Sequence, residues 1–153
     1  LHLFLSGVPL PPGGIDQGET ELEALYRELE EEVGLDPTQV SLLAKTPKWL
    51  RYELPMEHIR RRQKPTCIGQ KQVWFLLKLD SSDDDISLDS HHKAEFDDWK
   101  WVDYWRPVDE VINFKRDVYE DMLKALAPIL FENEHSIPTK LSRPLQFSAI
   151  KLN

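Results

Sequence analysis

The sequence predicts an α/β fold, a mixed sheet with helices packed on its faces. Strand-like segments and amphipathic helical stretches alternate within 153 residues rather than falling into separate blocks. That length fits one domain, which buries about two-thirds of its unfolded surface. Hydrophobic residues at 41% and aromatics at 10% suffice for a core and exclude a disordered chain.

Each element follows in order. Leu1 to Leu10 is at best a partial strand, and Pro11, Pro12, Gly13, Gly14 and Asp16 to Gly18 read as a loop. Thr20 and Glu23 form a capping box, and Leu22, Leu25, Tyr26, Leu29 and Val33 recur at helical spacing until Gly34. They predict an amphipathic helix over 20–33. Val40 to Leu43, Trp49 to Leu54, Gln72 to Leu79 and Trp99 to Trp105 read as strands. Pro55 to Pro65 is a basic connecting loop and residues 80–93 an acidic one. Pro107 to Ile112 predicts a helical turn. Arg116 to Phe131 predicts a last helix with Val118, Met122, Leu126 and Ile129 inward. The tail, residues 132–153, lacks periodicity and is expected to be mobile.

Charge is segregated. The net charge is −8, yet residues 19–35 carry −6, residues 36–79 carry +6 and residues 80–98 carry −7. A uniformly acidic surface repels polyanions, whereas acidic blocks flanking a basic one can hold cations and phosphates side by side. Cys67 is the only cysteine. An intrachain disulfide and a Cys-based zinc site are excluded, and a reducing, cytoplasmic setting is the natural reading. No apolar run approaches the ~18 residues of a membrane helix, and the opening lacks the basic region of a signal peptide. The chain starts with Leu rather than Met, which predicts a fragment or a processed or misassigned start.

Glu28, Glu31 and Glu32 are i, i+3 and i+4, so their carboxylates share one helix face. Their mutual repulsion costs a few tenths of a kcal/mol per pair. They also lie toward the helix C-terminus, whose dipole disfavours anions. Arg27 alone offsets them, within reach of Glu23, Glu30 and Glu31. The helix by itself admits two readings: an acidic solvent face, or a site for a hard divalent cation that takes carboxylate oxygens and keeps waters and phosphate oxygens.

The wider stretch favours the cation site. Gly13 to Leu35, GGIDQGETELEALYRELEEEVGL, fits G-x5-E-x7-R-E-U-x-E-E-x-G-U, with U a bulky apolar residue, at Gly13, Glu19, Arg27, Glu28, Leu29, Glu31, Glu32, Gly34 and Leu35. This resembles the Nudix box. The resemblance implies an α/β/α sandwich around a mixed sheet and hydrolysis of a diphosphate linked to another moiety. It implies Mg²⁺, with Mn²⁺ as a substitute, on Glu28, Glu31, Glu32, Glu95 and Gly13. Arg27 would orient box glutamates, Glu19 would be structural, and Glu31 is the favoured general base, with Glu95 the other candidate.

Resemblance continues through PKWLRYELP (47–55), PTCIGQKQVWFLLKL (65–79), AEFDDWKWVDYWRPV (94–108) and INFKRDVYEDML (112–123), which are similar to the bacterial RNA pyrophosphohydrolases, kin of dinucleoside tetraphosphate hydrolases. It implies removal of pyrophosphate from triphosphorylated RNA 5′ ends, initiating mRNA decay. Tyr52 and Gln70 would contact the 5′ phosphates, and Phe114 and Lys115 the first base and phosphates. Arg60, Arg61 and Arg62, with Lys64 and Lys71, would steer a polyanion or simply be a solvated loop. Partners are then 5′-triphosphorylated RNA or a nucleoside polyphosphate, with no DNA and no membrane. The alternatives are a dinucleoside polyphosphate hydrolase and a non-catalytic nucleotide- or RNA-binding remnant.

The N-terminus departs from the family pattern. The usual W-x-F-P-Q-G-G approach has Val8 for its Trp and Pro12 for its Gln, and the family places about two further strands before the box. Residues 1–131 are therefore expected to form one Nudix domain, truncated at its start and lacking the usual N-terminal strands.

Overall fold

A computed structural model of the chain describes residues 3–9, 15–62, 66–88, 99–130 and 147–150. Its elements are β1 (Leu3–Pro9), α1 (Glu21–Val33), β2 (Val40–Lys45), β3 (Leu50–Glu53), β4 (Gly69–Leu79), β5 (Trp99–Val102), α2 (Arg106–Glu110), α3 (Arg116–Leu130) and β6 (Phe147–Ile150). The strands form one mixed sheet in the order β2-β4-β1-β6-β5, with β3 also paired to β4.

Strand β4 organises the sheet because it is the longest and, among the described residues, contributes the most buried side chains of any strand. Its first four residues pair with β3, and Phe75 to Leu79 pair with β2 on the same edge. The other edge pairs with β1 from Gln72 to Lys78. Side chains alternate across a strand. Val73, Phe75, Leu77 and Leu79 therefore enter a core with Leu25, Leu29 and Val33 of α1, while Trp74 and Leu76 enter a second core with Met122, Leu123 and Leu126 of α3. Helix α1 covers one face, and α3 with α2 beside it covers the other, the α/β/α sandwich that the resemblance implies. Burying each such Leu or Val contributes about 1.5–3 kcal/mol.

Strand β2 serves both cores through a bulge. Its register slips between Leu42 and Ala44, so Val40 packs on the α1 side and Ala44 on the α3 side although both are even-numbered. Just beyond, the buried Thr46 hydroxyl accepts a hydrogen bond from the Trp74 N–H at 3.0 Å, and Thr46 N–H donates to the Trp74 carbonyl at 2.8 Å. Toward the other end of the sheet the Tyr104 hydroxyl donates to the Leu123 carbonyl at 2.5 Å, fixing the turn after β5 against α3. Burial holds that phenol neutral by raising its pKa.

Four expectations need correction. β1 is a full strand in which every residue from Leu3 to Pro9 has a partner on β4, so an N-terminal strand is present. The physical reason is that β4 offers a second long edge whose backbone groups need partners. Second, Phe147–Ile150, inside the segment read as a mobile tail, forms β6, which pairs parallel to β1 and antiparallel to β5. The sheet therefore extends past residue 131, through pairings that local periodicity cannot announce. Third, Ile129 is 52% exposed, because α3 centres its buried stripe on Tyr119, Met122, Leu123 and Leu126 and leaves Ile129 at the margin of its last turn. Fourth, Leu22 in the first turn of α1 is 41% exposed. Ala24 is buried in its place, which rotates the inward face of α1 toward Glu28 and Glu32. Among the described residues, no helix is long and apolar enough to cross a membrane.

Candidate active site

Helix α1 is held at both ends by local chemistry. The Thr20 side chain accepts from the Glu23 N–H at 3.2 Å, and Glu23 returns by accepting from the Thr20 N–H at 2.7 Å. Gly34 closes the helix at φ 71°, a left-handed conformation that glycine adopts without strain, and donates to the Glu30 carbonyl. The acidic 3₁₀ turn Asp83–Asp85 is tied to the same end, since Ser87 N–H donates to the Val33 carbonyl at 2.8 Å.

Between these caps Arg27 organises the carboxylates. Its Nε and Nη2 donate to the two oxygens of Glu19 at 2.9 and 3.0 Å, and its Nη1 donates to Glu28 at 3.2 Å and to Glu31 at 3.4 Å. Asp16 lies 3.6 Å from the same guanidinium, and its N–H donates to Glu19 at 2.9 Å. The Arg27 hydrogen bonds are the main reason the Glu19 carboxyl lies below its ordinary pKa, with the Asp16 N–H adding to it. The same partnership raises the guanidinium further from neutrality. Glu19, read from sequence as structural, thus receives the two-pronged grip. Glu23, expected near Arg27, is engaged in the cap instead.

Glu28 is 18% and Glu31 49% exposed, and Glu32 is half-buried, so the three lie on a graded border between core and solvent. Among the described residues no three acidic, imidazole or thiolate side chains converge as a metal cage. An all-oxygen donor set on one helix face still suits a hard divalent ion, which commonly takes only one or two carboxylates and completes its shell with waters and phosphate oxygens. Gly13 and Glu95, expected as further ligands, lie outside the described residues.

The four residues expected to bind substrate come together on the α3 side of the sheet. Tyr52 on β3 faces Gln70 on β4 in register, and its hydroxyl donates to Gln70 Oε1 at 2.8 Å. Gln72 Nε2 donates to the same oxygen at 3.4 Å. With Oε1 so engaged, Gln70 is left with N–H groups, which a phosphate oxygen can accept. The Phe114 ring lies 5.6 Å from Tyr52, and Lys115 Nζ stands 5.2 Å over the Tyr52 ring. Burial lowers the Lys115 pKa and, with the nearby Cys67, raises that of Tyr52. A half-buried ammonium has lost part of its hydration, so an incoming phosphate gains more from pairing with it. Phe114, which sequence alone leaves open to a core role, is only half-buried.

Gly69 makes this pairing possible. A Cβ at that position would collide with the Tyr52 carbonyl, so only glycine lets β3 lie close enough to bring Tyr52 onto Gln70. Behind the cluster, Tyr119 of α3 is buried against Trp74, with ring centroids 5.1 Å apart. Its phenol pKa is raised by burial, then by Tyr52 and by Glu32.

Two members of this region escape sequence reasoning. Gln72 shares the face of Gln70, and the period-two spacing of the pair is the signal that marks it. Its Oε1 is buried without a partner among the described residues. His58 stands 5.4 Å from Phe114, and nothing local in the loop reading points to it. The basic run Arg60, Arg61 and Arg62 is exposed immediately after it.

A family model described as the NUDIX domain matches residues 4–124. An RNA pyrophosphohydrolase of Ruthia magnifica subsp. Calyptogena magnifica is 63% identical over 144 residues, which cover 94% of this chain and 80% of the relative. Similar proteins of the same name come from Shewanella denitrificans, 57% identical over 118 residues, 77% of this chain and 69% of the relative, and from Thioalkalivibrio sulfidiphilus, 55% identical over 121 residues, 79% and 70%.

Proposed function

Since the chain belongs to the NUDIX domain family and is a hydrolase of pyrophosphate bonds, we propose that its substrate is the triphosphorylated 5′ end of RNA, which it converts to a monophosphate with release of pyrophosphate. The observation that carries this reading is the meeting of Tyr52, Gln70, Phe114 and Lys115 in one cluster that pairs stacking rings with phosphate-binding groups. Relatives of 55–63% identity that bear the name RNA pyrophosphohydrolase support it.

The reaction adds one water across the anhydride between the α- and β-phosphates. Phe114 stacks on the terminal base and Lys115 pairs with the phosphates, while Gln70 donates to a phosphate oxygen. Glu31 takes the proton of the attacking water, with Glu95 the alternative base. Arg27 keeps the α1 carboxylates in place through its hydrogen bonds to Glu28 and Glu31, a positioning duty. Glu28, Glu31 and Glu32, with Gly13 and Glu95, would hold Mg²⁺ or its substitute Mn²⁺, which supplies charge neutralisation and a more acidic water. Loss of the triphosphate exposes the transcript to decay in the cytoplasm.

The test uses RNA labelled in its β- and γ-phosphates. Protein with Mg²⁺ is expected to release labelled pyrophosphate and leave monophosphorylated RNA, and Glu32→Gln is expected to slow this by orders of magnitude. Intact RNA, or preferential turnover of a diadenosine polyphosphate in direct competition, overturns the RNA assignment.

A further inference from the structure

His58 lies at the end of a single 3₁₀ turn, Met56–His58, that follows β3. Pro55 starts the turn with its ring-restricted φ, and His58 N–H donates to the Pro55 carbonyl at 2.9 Å. A second 3₁₀ turn, Asn113–Lys115, leads into α3 and presents Phe114, its Lys115 N–H donating to the Ile112 carbonyl at 3.0 Å. The two turns bring three rings into a row. Tyr52 to Phe114 is 5.6 Å and Phe114 to His58 is 5.4 Å, both within the range of aromatic contact. The row runs from half-buried Tyr52 through half-buried Phe114 to exposed His58.

Lys115 covers the Tyr52 ring at the inner end, and the exposed Arg60, Arg61 and Arg62 follow His58 by two to four residues along the chain. Bases of single-stranded RNA stack on aromatic and imidazole faces, and phosphates flank every base. A platform of rings bounded by cations matches that alternation.

We propose that His58 is a substrate-binding residue that sets specificity: its imidazole extends the Tyr52–Phe114 platform, so that a nucleobase downstream of the 5′-terminal nucleotide stacks on it while Arg60–Arg62 meet the adjoining phosphates. This rests on the RNA reading above. It makes the enzyme favour a polynucleotide over a lone nucleoside triphosphate, because only the former has a base to place there.

The readout is the ratio of kcat/KM for a short 5′-triphosphorylated oligoribonucleotide to that for the matching nucleoside triphosphate. Base stacking of this kind predicts a fall of about 5- to 150-fold in the ratio for His58→Ala, carried mainly by KM for the RNA. His58→Phe, which keeps a ring, is expected to restore it. Should His58→Ala disturb the turn, His58→Leu against His58→Phe makes the same comparison of an apolar filler with a ring. An unchanged ratio, or a loss that His58→Phe does not recover, overturns the role of His58 while leaving the RNA activity of the unsubstituted protein standing. Failure of the unsubstituted protein to cleave the RNA removes both readings.

Discussion

Arg27 grips Glu19 with two parallel hydrogen bonds, Nε to Oε1 at 2.9 Å and Nη2 to Oε2 at 3.0 Å. The two are eight residues apart, one in the loop before α1 and one within it. The remaining guanidinium nitrogen is turned to Glu28 and Glu31 on the helix itself. A planar fork is needed to serve all three acids at once, and a lysine offers only a point charge.

Arg27→Lys is therefore not a conservative change. It is expected to lower kcat/KM by about 10- to 100-fold, the usual cost of losing a group that positions metal ligands. Titrating activity with Mg²⁺ should show the half-activating concentration move upward. An unaltered titration with activity within two-fold of the starting protein would remove the positioning role.

The same pair sets a pH dependence. The folded state depresses the Glu19 pKa, so the unfolded chain binds its proton more readily. The stabilisation it gives is present above the ordinary carboxylate range, near 4.3, and is lost as pH falls through the lower folded value. Asp36, beside Thr38, and Asp80, beside Ser41, act in the same direction. Urea midpoints measured from neutral pH downward should drop through this acidic window, with a shallower drop in Glu19→Gln. Parallel curves for the two proteins would contradict the assignment.

Thr46→Val tests the join between β2 and β4. It removes the hydroxyl that accepts from the Trp74 N–H and leaves that buried donor unpaired. A loss of about 1–3 kcal/mol is expected in urea unfolding. A change near zero would mean that the Trp74 N–H finds another acceptor.

Gly69→Ala places a methyl group against the Tyr52 carbonyl. Strand β3 must then move away from β4, and Tyr52 with it loses Gln70. KM for triphosphorylated RNA is expected to rise more than kcat falls, because the carboxylates of α1 are not involved. An equal effect on both parameters would show instead that the β3–β4 pairing supports the chemistry itself.

How much of this the sequence carried depended on the range of the forces involved. Helix α1 was legible almost to the residue, since Thr20, Glu23 and Gly34 act through neighbours three or four positions away. The identity of the box residues was legible too, but not that Glu19 rather than Glu23 would share Arg27. That choice depends on the path of the loop before the helix. β4 starts at Gly69, earlier than the expected Gln72, because a glycine that reads as a strand breaker is the residue the β3 approach requires. The face switch of β2 and the parallel pairing of β6 with β1 arise from partners far away in sequence, and no local pattern carries them. His58 went unread for the same reason: its meaning lies in Phe114, which lies on another turn.

Cys67 lies two residues before β4. Its thiol is exposed and donates to the Gly69 carbonyl at 3.3 Å, on the strand that pairs with β3 and its Tyr52. As the only sulfhydryl in the sequence, it provides a native attachment point for an environment-sensitive dye beside the ring row. Arrival of an RNA end can then be followed in real time by fluorescence, without first removing competing thiols or adding a new one.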